Sequence, residues 1–137
     1  MNEVIIDLAK TIGDGGNYLI NLGPKPDGTF DEVQAQIIRD MGKWVKAHAK
    51  GIYGTRAGAF ISEGAYTSTQ KGDSSFLFVF DPSNSQSIPL GDYDVSDVKD
   101  AEGNSIDFSI QSGDLLLAEA MQNIPAMPVV MFELLHK

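Results

Sequence analysis

Hydrophobic positions change period partway along the chain. Val4, Ile5, Leu8, Ala9 and Ile12 recur at helical spacing and predict an amphipathic helix over residues 2–12. Gly13-Asp14-Gly15-Gly16 ends it, since glycine supplies the left-handed turn that closes helices. Tyr18–Leu22 is a short apolar run broken only by Asn21, the pattern of a strand buried on both faces, as in a parallel sheet. A longer helix is predicted over residues 31–49, with Val33, Ile37, Ile38, Met41, Trp44 and Val45 on one face and Gly51 closing it. From Ala57 onward the period falls to two. Short strands are expected at residues 60–62, 66–70, 76–80, 87–90, 95–99, 106–110, 115–118 and 129–134, with a loop at 123–128. Lys71-Gly72-Asp73, Asp81-Pro82-Ser83-Asn84, Glu102-Gly103-Asn104 and Ser112-Gly113-Asp114 punctuate them as turns. The fold class is therefore α+β, a helix–strand–helix unit (1–56) followed by an antiparallel β-sandwich (57–137).

Between the first strand and the second helix lies Gly23-Pro24-Lys25-Pro26-Asp27-Gly28-Thr29. Proline lacks the N–H that a strand interior needs, and Asp-Gly supplies turn geometry. Thr29, three residues before Glu32, fits a capping box at the helix start.

These residues also carry a resemblance. Gly15-Gly16-Asn17-Tyr18-Leu19-Ile20-Asn21-Leu22-Gly23-Pro24-Lys25-Pro26-Asp27-Gly28-Thr29, then Gly42-Lys43-Trp44-Val45 and Ile52-Tyr53-Gly54-Thr55, resembles the α-L-fucosidases of glycoside hydrolase family 29. The likeness is dense from Val4 to Thr55 and loose beyond Ala57. It implies that the first part is the last strand and helix of a catalytic barrel, and that a β-sandwich domain follows. It also implies a parent reaction, retaining hydrolysis of terminal α-L-fucosides, with a fucosylated glycan or small fucoside as substrate. At 137 residues the chain is far shorter than a (β/α)8 barrel of about 250. The resemblance places both the nucleophile Asp and the acid/base Glu upstream of the matched segment, and no Asp or Glu here sits in a matching motif. The chain alone is thus expected to be inactive, with activity only through assembly. A non-catalytic carbohydrate-binding or oligomerisation module is the alternative.

Candidate substrate contacts are Asn21, near the carboxyl end of the predicted strand, and Lys25 and Asp27 in the loop over the same face. Asn21 could orient a sugar hydroxyl, or satisfy backbone groups at the rim. Lys25 and Asp27 could meet sugar or aglycone, or simply build a turn. Trp44 could stack on a sugar, but its place among Ile37, Met41 and Val45 reads as core. Tyr53 is expected to pack at the junction of the two parts. Phe60, Tyr66, Phe76, Phe78, Phe80, Phe108 and Phe132 read as sandwich core, with an exposed member or two free to stack on carbohydrate.

Charge and composition narrow the partners. Residues 1–56 hold seven basic and seven acidic side chains, whereas 57–137 hold the whole net charge of −9, which argues against nucleic acid or an anionic membrane. There is no cysteine, hence no disulfide or thiolate site. His48 ends a helix, where the dipole favours a cation, and His136 lies beside the C-terminus. Two such distant histidines predict no metal site, and no cofactor is expected. The first residues carry no basic-then-apolar export signal, and no apolar run is long enough to span a bilayer. An unpaired barrel strand and its uncovered helices predict a homo-oligomer, or a chain that complements a barrel.

Overall fold

The computed structural model describes residues 2–85, 87–122 and 129–137; the loop expected at 123–128 lies outside them. In order come α1 (Asn2–Gly13), α2 (Glu32–Ala47), α3 (Ala49–Ile52), β1 (Arg56–Ala57), β2 (Tyr66–Lys71), β3 (Ser74–Val79), a 3-10 turn (Pro82–Asn84), β4 (Ser87–Pro89), β5 (Val95–Lys99), β6 (Ser109–Gln111), β7 (Asp114–Leu116), α4 (Ala118–Gln122) and β8 (Val130–His136). The strands form a five-stranded sheet, β1-β2-β3-β8-β5, and a three-stranded sheet, β4-β7-β6. Every ladder is antiparallel. The expected α+β class and sandwich are thus present, and no barrel closes among the described residues.

Three layers result. Leu77 and Val79 of β3, Val98 of β5, and Phe132 and Leu134 of β8 face Ile88 and Leu115 of the smaller sheet, forming the inter-sheet core. Alternation sends Phe76, Phe78 and Met131 to the other side, where they meet Ile5, Leu8 and Ala9 of α1 and Met41 and Trp44 of α2. The helices therefore cover the outer face of the large sheet. Their approach is close. At buried Gly51 in α3, a side-chain carbon would stand 2.6 Å from Met131 Sδ, 2.9 Å from Phe76 Cβ and 3.0 Å from Phe78 Cζ. Thr69 Oγ1 also donates to the Gly51 carbonyl at 2.6 Å, tying α3 to β2.

Several expectations need correction. Helix α1 does close at its glycines: Gly16 N–H reaches the Thr11 carbonyl at 2.8 Å and Gly15 N–H reaches Ile12 at 3.0 Å, with Gly15 at φ +81°. The cap of α2, however, is Asp31 and not Thr29. The Asp31 carboxylate accepts from Val33 N at 3.0 Å and Gln34 N at 3.2 Å. Gly51 does not end the helix; the chain turns at His48 and resumes as α3, with Gly51 inside it. Residues 60–62 form no strand, Phe60 N–H being taken by Ser68 Oγ at 2.9 Å. In β5 a register shift between Val95 and Asp97 puts both Val95 and Val98 in the core, a bulge that a strict period of two does not foresee. The strand expected over 106–110 begins only at Ser109, and the helical turn α4 starts where β7 was expected to end.

The main correction concerns Tyr18–Leu22. It runs between the glycine close of α1 and the turn before α2, yet belongs to no strand. Tyr18 and Ile20 lean on the helix-side core, whereas Leu19 is 83% exposed and Asn21 is exposed. The run is not buried on both faces, because no strand among the described residues pairs with it.

Candidate functional site

The arm 17–30 carries all three predicted contacts. Beyond Gly23 it folds into a narrow hairpin in which Pro24 bridges Phe30. Lys25 N–H donates to the Thr29 carbonyl at 2.7 Å, and Gly28 N–H to the Lys25 carbonyl at 2.9 Å. Pro26 suits the second position of such a turn, and Gly28 takes the left-handed conformation, φ +83°, that completes it. The Asp27 carboxylate accepts from Thr29 N–H at 3.0 Å and Thr29 Oγ1 at 2.7 Å. These hydrogen bonds hold the exposed Asp27 carboxyl below the ordinary carboxylate range. Asp27 is therefore ionised and committed to the turn. Lys25 and Asn21 lie exposed along the same arm, Asn21 not within a buried strand as expected.

The neighbouring acids are also engaged. Asp31 caps α2, and Glu32 pairs with Arg39. Val33, expected on the buried stripe of α2, is 70% exposed and Phe30 49%. With Leu19 they leave apolar surface along the arm and the start of α2. A shallow depression of about 360 Å³ beside them is lined by Glu32, Val33, Gln36, Ile37 and Asp40. Among the described residues no group of three or more His, Asp or Glu is placed to hold a metal ion.

Other candidates resolve as structure. Trp44 is core, with Nε1–H donating to the Val129 carbonyl at 3.3 Å. His48 stacks on its ring at a centroid distance of 4.2 Å and sets Nδ1 2.7 Å from the Trp44 carbonyl. Burial pushes the His48 pKa down, so it is a neutral donor and not the helix-end cation that its position suggested. Tyr53 packs nothing away, being 63% exposed. Of the seven aromatic residues read as sandwich core, Phe60, Tyr66, Phe108 and Phe132 do pack there, whereas Phe76, Phe78 and Phe80 lie on the helix side of the large sheet; none is exposed, and Phe80 and Phe108 are half-buried.

Two polar groupings escaped the sequence reading. Glu133 of β8 is buried and takes Lys50 Nζ at 2.8 Å and Ser74 Oγ at 3.2 Å. Ser75 Oγ lies 2.8 Å from His136 Nε2. That pair has the composition of a nucleophile and its base, but Ser75 is fully buried and no substrate reaches it. No sequence signal marks either grouping, because their members are 59 to 83 residues apart.

Comparison with known proteins agrees with this architecture. The sequence profile of the α-L-fucosidase family matches residues 1–50. An α-L-fucosidase of Branchiostoma floridae is 36% identical over 94 residues, covering 66% of this chain and 21% of that protein. The human plasma α-L-fucosidase is 40% identical over 55 residues, 40% of this chain and 12% of that one. Among solved structures, α-L-fucosidase isoenzyme 1 from Paenibacillus thiaminolyticus superposes with a TM-score of 0.85 at 21% identity, covering 99% of this chain and 34% of its own. A covalent intermediate of a GH29 α-L-fucosidase from Bacteroides thetaiotaomicron gives 0.84 at 20% identity, over 98% and 32%. The chain thus spans about a fifth or less of the curated relatives' length and about a third of the solved chains. By sequence over its first 50 residues and by fold over nearly all of its length, the chain is similar to the C-terminal portion of the α-L-fucosidases, among them the GH29 enzyme of Bacteroides thetaiotaomicron.

Proposed function

We propose that this chain supplies the terminal barrel segment and the accessory sandwich of an α-L-fucosidase, whose assembled form hydrolyses terminal α-L-fucosides with retention. The observation that carries the reading is the arm: Tyr18–Leu22 forms no ladder among the described residues, and Leu19 stands 83% exposed. Unpaired backbone and exposed leucine together make a template for another strand. The partner of that chemistry is the remainder of a barrel, and a second copy of the chain is the competing occupant. In the assembly Asn21 and the Lys25–Asp27 turn lie at the rim, within reach of a sugar hydroxyl. Residues 1–56 are the barrel-side unit and 57–137 the sandwich unit.

Alone, the chain does not catalyse the reaction. Retaining hydrolysis needs a carboxylate nucleophile and a carboxylic acid about 5–5.5 Å apart. The acids nearest the arm are spent on a turn, a cap and an ion pair, and Glu133 is buried against Lys50. The test is fucose release from an aryl α-L-fucoside. The chain by itself should release none, while mixing it with the barrel part of a related α-L-fucosidase lacking this portion should restore release. Leu19→Asp should cut the restored rate by about tenfold or more, the loss of an apolar contact replaced by a buried charge. Release proportional to the concentration of the chain alone, or restoration indifferent to Leu19→Asp, would contradict the reading.

A further inference from the structure

His136 closes the end of the inter-sheet core. It is the last residue of β8, and its side chain lies on the same side as Phe132 and Leu134, beside Tyr93 at 4.9 Å and Phe60 at 6.3 Å between ring centroids. Nε2 shares a hydrogen with Ser75 Oγ at 2.8 Å, and Ser75 is fully buried. Nδ1 is buried too and has no hydrogen-bond partner among the described residues. The backbone around it is held from both sides. His136 N–H donates to the Asp73 carbonyl at 2.9 Å, and Lys137 N–H to the Asp94 carbonyl at 3.0 Å.

A neutral imidazole suits this place, because it carries one N–H and the Ser75 hydroxyl completes a single hydrogen bond with Nε2. An imidazolium does not. It brings a second N–H at buried Nδ1, where no acceptor stands among the described residues, and a charge into a half-buried place. The groups facing it are Asp73 from the β2–β3 turn and Tyr93 and Asp94 from the approach to β5. Lys137 follows it in sequence. Asp94 is already paired with Lys137 Nζ at 3.2 Å. Asp73 and the Tyr93 ring favour the cation, but neither gives Nδ1 an acceptor. Glu133, on the opposite side of β8, is held by Lys50.

We propose that His136 is an acid-sensitive latch: neutral, it pins the C-terminal end of β8 between the β2–β3 turn and β5, and on protonation it releases that end. Burial depresses its pKa from 6.5, with Asp73 opposing more weakly, which fits the same geometry. The sign follows from linkage. As pH falls through the ordinary histidine value the unfolded or opened chain takes up a proton before the closed one does, so the closed state loses stability until the depressed value is passed. Ordinary carboxylates titrate near 4 and stand below this window.

The chain has only two histidines, so their ring protons can be followed separately by NMR as pH is lowered. His136 should titrate below the ordinary value of about 6.5. Between about pH 7.5 and 5, exchange protection of the His136 and Lys137 amides should fall by about tenfold, while that of Phe78 in the sheet centre stays constant. His136→Gln keeps an amide for Ser75 and cannot titrate, so its protection should be equal at both pH values. The proposal is overturned if His136 titrates at or above its ordinary value, if local protection does not change as the ring titrates, or if His136→Gln shows the same fall. Should His136→Gln fail to fold, the first two readings on the unaltered chain decide alone.

Discussion

Tyr18–Leu22 and strand β3 are both short apolar runs, yet they end in opposite situations. Phe76, Leu77, Phe78 and Val79 are buried on both faces, paired with β2 on one side and β8 on the other. Tyr18–Leu22 has equal appetite for burial but no ladder, and Leu19 projects 83% of its surface. An apolar run states that burial is needed; the rest of the chain decides whether a partner is available. The family profile covers residues 1–50 and so includes the arm, whereas β3 lies beyond it.

The comparison can be broken most severely at Phe78. It has no exposed surface and touches both α2 and the large sheet, so Phe78→Ala should cost about 3–5 kcal/mol in denaturant unfolding. A loss no larger than that of an exposed site would mean that the helices do not share a core with the sheet. A middle-sized effect is expected at the junction of arm and helix. Asp31→Ala should cost about 1 kcal/mol by leaving the first amides of α2 uncapped, while Thr29→Ala should not affect the helix directly. The reverse order would restore the cap to Thr29. The smallest effect belongs to the arm itself: Leu19→Asp should change the stability of the isolated chain by no more than about 0.5 kcal/mol, as exposed sites do.

Much of the fold was legible in the sequence. Helical spacing marked α1 and α2, and short runs between turn signals marked β2, β3 and β8; most of their apolar residues meet a core made by this chain, Val33 of α2 being the exception. The failures have physical causes. The bulge in β5 moves Val98 onto the face of Val95 without changing composition. Thr29 and Asp31 are both competent caps, and Thr29 is drawn instead to Asp27 at 2.7 Å. Of the candidate contacts, the turn at Lys25–Gly28 could be read from Pro26, Asp27 and Gly28. The exposure of Asn21 could not, because an apolar run does not reveal whether a strand lies beside it. Nor could the Ser75–His136 pair, which only the register of β3 against β8 brings together.

The central claim is that the arm stands open in this chain and is covered on assembly. Amide hydrogen exchange at Tyr18, Leu19, Ile20, Asn21 and Leu22 tests it directly, first on the dilute chain and then with a complementing barrel added. The account predicts exchange near the unprotected rate for the chain alone and protection rising by about a hundredfold in the complex, as ladder hydrogen bonds form. Arm amides already protected in the dilute, monomeric chain, or left unprotected in an active complex, would contradict it.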